Sequence, residues 1–465
     1  MALRVLAFVN HVPLRRDPQP MIEQALEWGI DYVVAQGTGK DWGPHWLGSG
    51  RQLPVRNFVE NVRPYMKACH AHGIPFILSA GIAGARPQLT ECIAGFNQMC
   101  REEELSFDLG VVPGDVDPMY LIKRIAAGDQ IRRMDEHPAL PEYLRAADVE
   151  DSVHIVAQIG PEPIMEALDA GVDGVVTGRA LDVGLFMAPA LRAGATKASA
   201  ALFGKLLECG GVALEPVDAS LAIYGELHDD GSIVVRSPST EAECRVQTLA
   251  AHSFYERMNP FREENPGGYL NLDQVTYEQL DARSVKVSGA QWVDTPYSVK
   301  LEGAAPLGYR AINLSGARDP RYLAHLDAAV GRIKTEVRAS SRFGQMVEEV
   351  DYHLNVTLYG RDAVLGEAET RGGDEHEVGV LIDVVAPTQA LAEEICYFAA
   401  IGNQNWPYPG RKTTAGNVAQ RFTEIVNPLG EIYRWSIWHL LPLDDPTEPF
   451  PVHRLALPTE EAVGW

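Results

Sequence analysis

The chain has few cysteines, and no two of them have the spacing that is typical of a metal-binding motif. No C-x-x-C occurs in the 465 residues, and the six cysteines are scattered, at Cys69, Cys92, Cys100, Cys209, Cys244 and Cys396. This pattern argues against a disulfide framework and against a cysteine-based zinc cluster. A chain without such a framework is typical of the reducing cytosol, so we expect a cytoplasmic protein.

Long apolar runs and an excess of basic charge are also missing. No run of about 18 apolar residues occurs, and no basic stretch precedes an apolar core at the N-terminus, so we expect neither a membrane span nor a secretory leader. The 63 acidic residues outnumber the 40 Lys and Arg, giving a formal net charge of −23. Nucleic acids and anionic membranes bind basic surfaces, so neither is expected as a partner. A local arginine-lined pocket for a small anionic substrate stays compatible with this charge.

Several catalytic and cofactor motifs are absent too. Neither H-E-x-x-H nor G-x-S-x-G occurs, so zincin and α/β-hydrolase functions have no support. Gly37-Thr38-Gly39-Lys40 resembles a phosphate loop only loosely, because neither the P-loop spacing nor G-x-G-x-x-G before a helix is present. We therefore expect no nucleotide cofactor.

Over the first 200 residues, short apolar segments alternate with amphipathic ones. The predicted strands are Val5–Asn10, Asp31–Ala35, Pro75–Ser79, Phe107–Val112, Val153–Gln158 and Asp173–Thr177. The predicted helices are Pro20–Gly29, Phe58–His72, Gln88–Glu104, Pro118–Ala127 and Pro161–Ala170. Such alternation predicts βαβ units and a doubly wound, mostly parallel, Rossmann-like sheet, whereas a barrel would need eight units.

The pattern changes from about residue 215 onward. Ser220–Glu226 and Gly231–Arg236 predict a hairpin, and alternating strands are predicted at Ser284–Ser288, Tyr352–Tyr359 and Val378–Ala386. The last of these strands is followed by Pro387 and a predicted helix. The sequence thus predicts an α/β domain over residues 1–212 and an α+β part over 213–465, which contributes to the site or to an interface.

The predicted strands end in glycines and polar residues, and in an open α/β sheet ligands bind outside these carboxyl ends. The most informative end is Gly178, which breaks a strand and is followed by Arg179 and Asp182. A guanidinium there suits a carboxylate or phosphate, although Arg179 could instead pair with a surface acid while Asp182 caps the next helix. The predicted substrate-binding residues are Arg179, Gly178, Gly37, Thr38, Ser79, Gly81 and Gln158.

Glu208 and Cys209 lie in the segment K-L-L-E-C-G-G, where two glycines end a predicted helix. A carboxylate at a helix C-terminus faces the negative end of the dipole, which raises its pKa and makes Glu208 a candidate general base. The alternative is a plain helix end with an exposed Glu208 and a buried Cys209. Cys209 is a weaker candidate nucleophile, because this position does not lower a thiol pKa.

These segments together resemble the acyclic terpene utilisation (AtuA-like) family over most of residues 60–440. The resemblance is carried by A-L-D-A-G-V-D-G-V-V-T-G-R-A-L-D (167–182), L-L-E-C-G-G (206–211), Y-L-N-L-D-Q-V-T-Y-E-Q-L-D-A-R-S-V-K-V-S-G-A (269–290), Y-G-R-D-A-V-L-G-E (359–367), A-P-T-Q-A-L-A (386–392) and Y-P-G with T-A-G-N (408–417). The chain departs from the family near its N-terminus, where Ser79-Ala80-Gly81-Ile82 replaces an Asn-Ala-Gly-Gly turn. If that turn contacts substrate, this substrate differs from that of terpene-degrading relatives.

The family takes its name from gene neighbourhoods that degrade terpenoid acids as CoA thioesters, and the name alone assigns no reaction. The resemblance also implies a small partner subunit encoded nearby. We expect a hydratase or dehydratase acting on a small carboxylic acid or its CoA thioester. Arg179 would anchor the carboxylate, Asp182 or Glu208 would take the α-proton, and Asp115 or His11 would protonate the leaving hydroxyl. The enolate would be stabilised by arginine or by a divalent metal such as Mg²⁺ or Mn²⁺, although no ligand spacing identifies metal ligands.

Three alternatives stay open at this point. An isomerase would share the enolate step, a scaffold subunit would use Arg179 structurally, and a binding protein would leave its ligand unchanged. A homo-oligomer is expected from the size of the chain, because large cytosolic α/β proteins commonly form symmetric assemblies.

Overall fold

The computed structural model describes residues 2–135, 137–255, 257–371, 373, 375–412 and 417–460. Residues 413–416, which carry part of the T-A-G-N segment, lie outside this range. The chain divides into two compact units: Met1–Ala305 with Trp435–Trp465, and Pro306–Arg434. The predicted division at residue 212 does not coincide with either limit, because the segments after it add strands to the sheet of the first unit.

The first unit is built on short strands and a set of helices. Its strands are β1 (Leu3–Val9), β2 (Tyr32–Gln36), β3 (Phe76–Ser79), β4 (Phe107–Val112), β5 (Arg132–Arg133), β6 (His154–Ala157), β7 (Gly174–Thr177), β8 (Ile223–Leu227), β9 (Ile233–Arg236), β10 (Arg262–Asn265), β11 (Gly268–Asn271), β12 (Thr276–Asp281), β13 (Ser284–Ser288), β14 (Gln291–Asp294), the start of β15 (Ser298–Ala317), the end of β19 (Asn427–Pro442) and β20 (His453–Leu457). Its helices are α1 (Gln19–Trp28), α2 (Pro44–Ser49), α3 (Val55–His72), α4 (Arg86–Glu102), α5 (Pro118–Ala126), α6 (Ala146–Glu150), α7 (Pro161–Asp169), α8 (Asp182–Arg192), α9 (Lys197–Leu207) and α10 (Val246–Phe254), with a 3₁₀ turn at Gly210–Ala213.

The main sheet of this unit has ten strands in the order β12-β13-β9-β8-β1-β2-β3-β7-β4-β20. The five strands from β1 to β4 in this order are parallel, whereas the strands on both sides of them are antiparallel. The sheet is therefore mixed. The predicted parallel pairing is found only at its centre, and the sheet as a whole is not the predicted doubly wound, Rossmann-like one. The predicted hairpin is confirmed as β8 and β9, and it extends this sheet instead of belonging to a separate domain.

Helices cover both faces of the main sheet. Successive residues of a strand point to opposite faces. Tyr224 of β8 contacts Trp28 of α1, with ring centroids 5.1 Å apart, whereas the next residue, Gly225, faces Phe203 and Leu207 of α9. Strands covered on both faces have continuous apolar sequences, which explains why β3 and β7 are buried throughout.

One predicted parallel strand lies elsewhere. β6 forms as predicted, but it pairs antiparallel with β15, joining Ala157 to Leu301 and His154 to Ala304. A four-residue apolar strand carries no sign of its partner, so the sequence could not distinguish this pairing from membership of the parallel sheet.

The second unit is an antiparallel sheet with helices. It contains the rest of β15 and β19, together with β16 (His353–Tyr359), β17 (Val378–Ala386), β18 (Ala419–Gln420), α11 (Pro320–Leu323), α12 (Leu326–Ala339), α13 (Gln389–Asn405) and a 3₁₀ turn at Gly366–Ala368. β17 pairs antiparallel with both β15 and β16. Alternate residues of β17 are buried, which is the pattern of a sheet with one face on a core.

Among the helices in the described part of the chain, none combines the length and the apolar character needed to cross a bilayer.

Candidate functional site

The loops after the parallel strands meet at one edge of the main sheet, as the strand order requires. The side chain of Asn10 donates to the Ser79 carbonyl at 2.8 Å, and the Gly37 amide donates to Ser79 Oγ at 2.8 Å. The Gly178 amide donates to the Val112 carbonyl at 2.9 Å. The Ala80 amide, which donates to the Thr177 carbonyl at 2.9 Å, links the ends of β3 and β7, so that the ends of all five parallel strands are joined.

Glycines at this edge are required by close contact between backbones. A Cβ on Gly178 would lie 2.5 Å from the Gly84 carbonyl oxygen, and one on Gly114 would lie 2.5 Å from the carbonyl oxygen of Arg179. The space beside Gly37 is filled by the side chain of Asn10. Gly178 and Gly37, predicted as ligand contacts, therefore serve first to let the strand ends approach one another.

Arg179 is buried at this edge and is paired with Glu302 of β15. Its Nε lies 3.2 Å from both oxygens of Glu302, and its Nη2 lies 3.0 Å from Oε1. The exposed fractions of the two side chains are 4% and 1%. The acid that pairs with Arg179 is therefore buried and not a surface residue, as the alternative prediction had it. The guanidinium is not an open anchor for a ligand.

Two other predicted substrate-binding residues support this ion pair. Gln158 donates through Nε2 to Glu302 Oε1 at 2.6 Å, and Arg179 Nη1 lies 3.4 Å from the carbonyl oxygen of Thr38. We call Arg179, Asp182, Glu302, Gln158 and Thr38 the edge cluster. The predicted residues do come together, but they bind one another.

Asp182 is the accessible member of the edge cluster. Its Oδ1 is buried 3.5 Å from Arg179 Nη1, yet the side chain as a whole keeps 30% of its surface exposed. Burial raises the pKa of Asp182, the positive charges of Arg179 and Lys205 oppose this rise, and the negative charge of Glu302 adds to it. Asp182 is therefore a partly exposed side chain whose carboxyl group is held beside a fixed positive charge.

Lys205 and Glu208 form a second buried ion pair, with Nζ 2.5 Å from Oε1. Their spacing of three residues places both side chains on the same face of the end of α9. Burial raises the pKa of Glu208 despite the ammonium beside it, and the carboxylates of Glu263 and Asp182 add to the rise. The direction is the one predicted, but the main cause is burial and not the helix dipole. Burial acts to lower the pKa of Lys205, but the neighbouring carboxylates outweigh it and keep the amine charged.

Three further side chains adjoin this pair. Cys209 Sγ lies 3.0 Å from the hydroxyl oxygen of Tyr255, and the Lys205 ammonium lies 4.6 Å from the centroid of the Tyr255 ring. His252 is 5% exposed, and burial lowers its pKa to about 3, so the ring is neutral. We call Lys205, Glu208, Cys209, His252 and Tyr255 the helix-end cluster. Glu208 is buried, so the alternative of an exposed Glu208 does not hold.

The two predicted proton donors differ in their surroundings. Asp115 accepts the Arg86 amide at Oδ1, its Oδ2 is buried without a hydrogen bond to any described residue, and burial raises its pKa. Burial lowers the pKa of His11 to about 4, the nearby Asp41 opposing this only in part. Because a neutral imidazole is a poor acid near pH 7, Asp115 fits the role of proton donor better than His11.

A small cavity of about 20 Å³ lies beside β1 and β3, where its lining includes His11, Gly37 and Gly81. This volume suits about one water molecule. Ile82, at the same cavity, has a φ of +56°, which is unusual for a β-branched residue. Ile82 is therefore a strained backbone position in the turn that borders the cavity.

Sequence reasoning missed Glu302, Lys205, His252 and Tyr255 as members of the site. The spacing of Lys205 and Glu208 on one helix face could have revealed their pairing. Glu302 and His252 gave no such signal, because each reaches its cluster from an element that is distant in sequence.

Comparison with known proteins identifies one family. The sequence model described as acyclic terpene utilisation family protein AtuA matches residues 55–427. This range contains the helix-end cluster and all of the edge cluster except Thr38, which lies before it together with β1 and His11. No curated protein and no solved structure matches the chain.

Proposed function

The chain belongs to the acyclic terpene utilisation AtuA family, and from this premise and the site geometry we propose a hydratase or dehydratase, a lyase acting on a small carboxylic acid or its CoA thioester. The family description favours an acyclic terpenoid acid as the carbon skeleton. The observation that carries the proposal is Asp182, a carboxyl group with 30% of its side chain exposed and Oδ1 3.5 Å from the buried guanidinium of Arg179.

Asp182 is assigned as the group that takes the α-proton. In the dehydration direction the C–H bond breaks, its proton moves to the carboxylate of Asp182, and its electron pair moves toward the carbonyl or carboxylate of the substrate. Positive charge fixed nearby stabilises the negative charge that develops there. Arg179 supplies such a charge without reorganisation, since Glu302 and Thr38 hold it in place.

Asp115 is assigned as the proton donor to the leaving hydroxyl. The β-carbon–oxygen bond breaks, the hydroxyl takes the proton of Asp115, and water leaves as the double bond forms. Burial favours the protonated form of Asp115, as the raised pKa indicates. Hydration uses the same groups in reverse. Glu208 is less accessible than Asp182, with 8% of its side chain exposed against 30%.

Turnover and proton exchange measured together test this assignment. Hydroxy and unsaturated acyclic acids and their CoA thioesters are incubated in D₂O with the full chain, and deuterium at the α-carbon is followed by NMR. We expect Asp182→Asn to lose both turnover and exchange by about 100-fold or more, the scale typical of a general base. Because burial raises the Asp182 pKa, the acid limb of kcat/KM lies above the ordinary aspartate range.

Asp169→Asn is the matched control. Asp169 pairs with Arg192 at 2.8 Å, but these residues end α7 and α8 and so lie at the opposite edge from Asp182, which begins α8. The control should keep full activity, so an equal loss in both variants would reject the catalytic assignment.

The same panel separates the alternatives. Movement of a double bond without water addition would replace the lyase by an isomerase that shares the enolate step. Absence of both exchange and turnover, with the chain alone and with a small partner subunit of the kind that the resemblance implies, would favour a scaffold or a binding protein.

A further inference from the structure

The helix-end cluster brings three kinds of metal ligand together. A carboxylate oxygen of Glu208, Cys209 Sγ and a ring nitrogen of His252 all lie within 4.8 Å of one another. Glu208 and Cys209 follow α9 directly, whereas His252 lies on α10. The three side chains are therefore brought together by the packing of the fold and not by their positions in the sequence.

His252 gives an independent indication of a missing ligand. It is 95% buried, and neither ring nitrogen makes a hydrogen bond of good geometry with a described residue, although the Lys205 backbone is near. Buried polar atoms normally have partners, because an unsatisfied one costs about 1 to 3 kcal/mol. A neutral imidazole is also the form that binds metals.

We propose that Glu208, Cys209 and His252 form a zinc-binding site with an open fourth position. One sulfur, one nitrogen and one oxygen ligand suit Zn²⁺, whereas Mg²⁺ and Mn²⁺ favour oxygen ligands alone. Three protein ligands with one open position is the arrangement of catalytic zinc sites. On binding, the Cys209 thiol releases its proton to solvent as the sulfur–zinc bond forms.

Lys205 and Tyr255 support this arrangement and do not compete with it. Ligating carboxylates usually accept a hydrogen bond on the oxygen that does not bind metal. Lys205 donates to Oε1 of Glu208, which leaves Oε2 for the metal, and the hydroxyl of Tyr255 lies 3.0 Å from Cys209 Sγ. Both contacts orient ligands, while the thiolate and the carboxylate together balance the two positive charges of the zinc.

Metal binding itself is independent of the proposed reaction, whereas a catalytic use of the zinc rests on it. A bound zinc would polarise the carbonyl oxygen of the substrate and so lower the cost of the enolate. It would also occupy Glu208, leaving Asp182 as the base.

The test is zinc and cobalt binding to the full chain. Protein treated with chelator is titrated with ZnCl₂ against a chromophoric chelator, and bound metal is counted by mass spectrometry. A second sample receives CoCl₂, because a thiolate ligand produces a sulfur-to-cobalt charge-transfer band in the near ultraviolet. We expect one zinc per chain and this band in the wild-type protein.

Cys209→Ser and His252→Gln should weaken zinc binding more than about 10-fold, and Tyr255→Phe about 10-fold, the effect typical of a lost outer hydrogen bond. The cobalt band should vanish only in Cys209→Ser. Cys244→Ala is the control, because Cys244 is buried just before α10 but is not part of the cluster. Thermal melting of the metal-free variants confirms that each is folded.

Less than one zinc per wild-type chain, or unchanged affinity in Cys209→Ser and His252→Gln, would overturn the site. Stoichiometric zinc lost in both variants supports it even if no acid is hydrated, so the metal site and the proposed reaction can fail separately.

Discussion

The edge cluster and the helix-end cluster both bury an ion pair in the first unit, but they differ in how fully their polar atoms are used. Glu302 accepts from Arg179 and Gln158, so both of its oxygens are engaged. The helix-end cluster instead contains His252, whose ring nitrogens lack well-formed partners among the described residues. Fully paired charges such as those of Arg179 and Glu302 fix a geometry. Incompletely paired groups, which are Asp182 in the edge cluster and His252 in the helix-end cluster, are available to bind or to transfer protons.

The largest expected effect is at the edge cluster. Glu302→Leu leaves Arg179 buried without its carboxylate and should lower the free energy of unfolding by about 3 to 5 kcal/mol, the usual result of removing one partner of a buried pair. Urea denaturation of the full chain measures the loss. The double variant Arg179→Met with Glu302→Leu should recover much of it, because only Asp182 is left without its partner and this carboxylate can bind a proton. A double variant no more stable than Glu302→Leu would show that packing, not charge, is responsible.

A smaller loss is expected at the helix-end cluster. Lys205→Met should cost about 1 to 3 kcal/mol, because Glu208 can avoid an unpaired charge by binding a proton. Without the ammonium the folded-state pKa of Glu208 rises further above its unfolded value. The loss of stability in the variant is therefore smallest at a pH below the pKa of Glu208 in the unfolded chain. It grows as the pH rises toward the pKa of Glu208 in the folded chain. Urea curves at pH 5 and pH 8 should differ accordingly, and a loss independent of pH would contradict this account.

The smallest effect on stability is expected at Asp182. Burial raises the pKa of Asp182 in the folded state above its unfolded value, so the stability present below the unfolded pKa is lost as the pH rises through the folded one. Because asparagine does not titrate, Asp182→Asn does not lose stability in this way. At pH 7.5 its free energy of unfolding should equal that of the wild type or exceed it by up to about 1 kcal/mol. Thermal melting at pH 4 and pH 7.5 measures the difference. A clearly destabilised variant would place Asp182 with Glu302 as a structural residue.

Much of the first unit could be predicted from its sequence, because its central strands are short, fully buried apolar runs between amphipathic helices. Five of the six predicted strands form the parallel centre of the main sheet, with limits within two residues of those observed. The sixth, β6, and the hairpin β8–β9 form as predicted. The local sequence pattern could not show, however, that β6 pairs with β15 or that β8 pairs with β1. Strand partners depend on tertiary contacts that leave no period in the sequence.

The candidate site, too, could be predicted only in part, because some of its residues are brought together by tertiary contacts. Arg179 and Asp182 were found because they follow a strand, and strand ends in a parallel sheet share one edge. Glu302 lies more than 120 residues further along the chain, so nothing local assigned it to Arg179. His252 was missed because Cys209 and Glu208 precede it by more than 40 residues, a separation unlike any usual metal-binding motif.

The backbone contacts around Gly178 and Gly114 also determine how this site can be altered. Because these glycines leave no space between the main chain of Arg179 and its neighbours, the path of the loop does not depend on which side chains surround it. A library that varies Gln158 and Asp182 while keeping both glycines and the pair of Arg179 and Glu302 would change the chemistry offered to a ligand without moving the point from which Arg179 extends. The edge of this sheet is therefore a suitable starting point for engineering new substrate specificity.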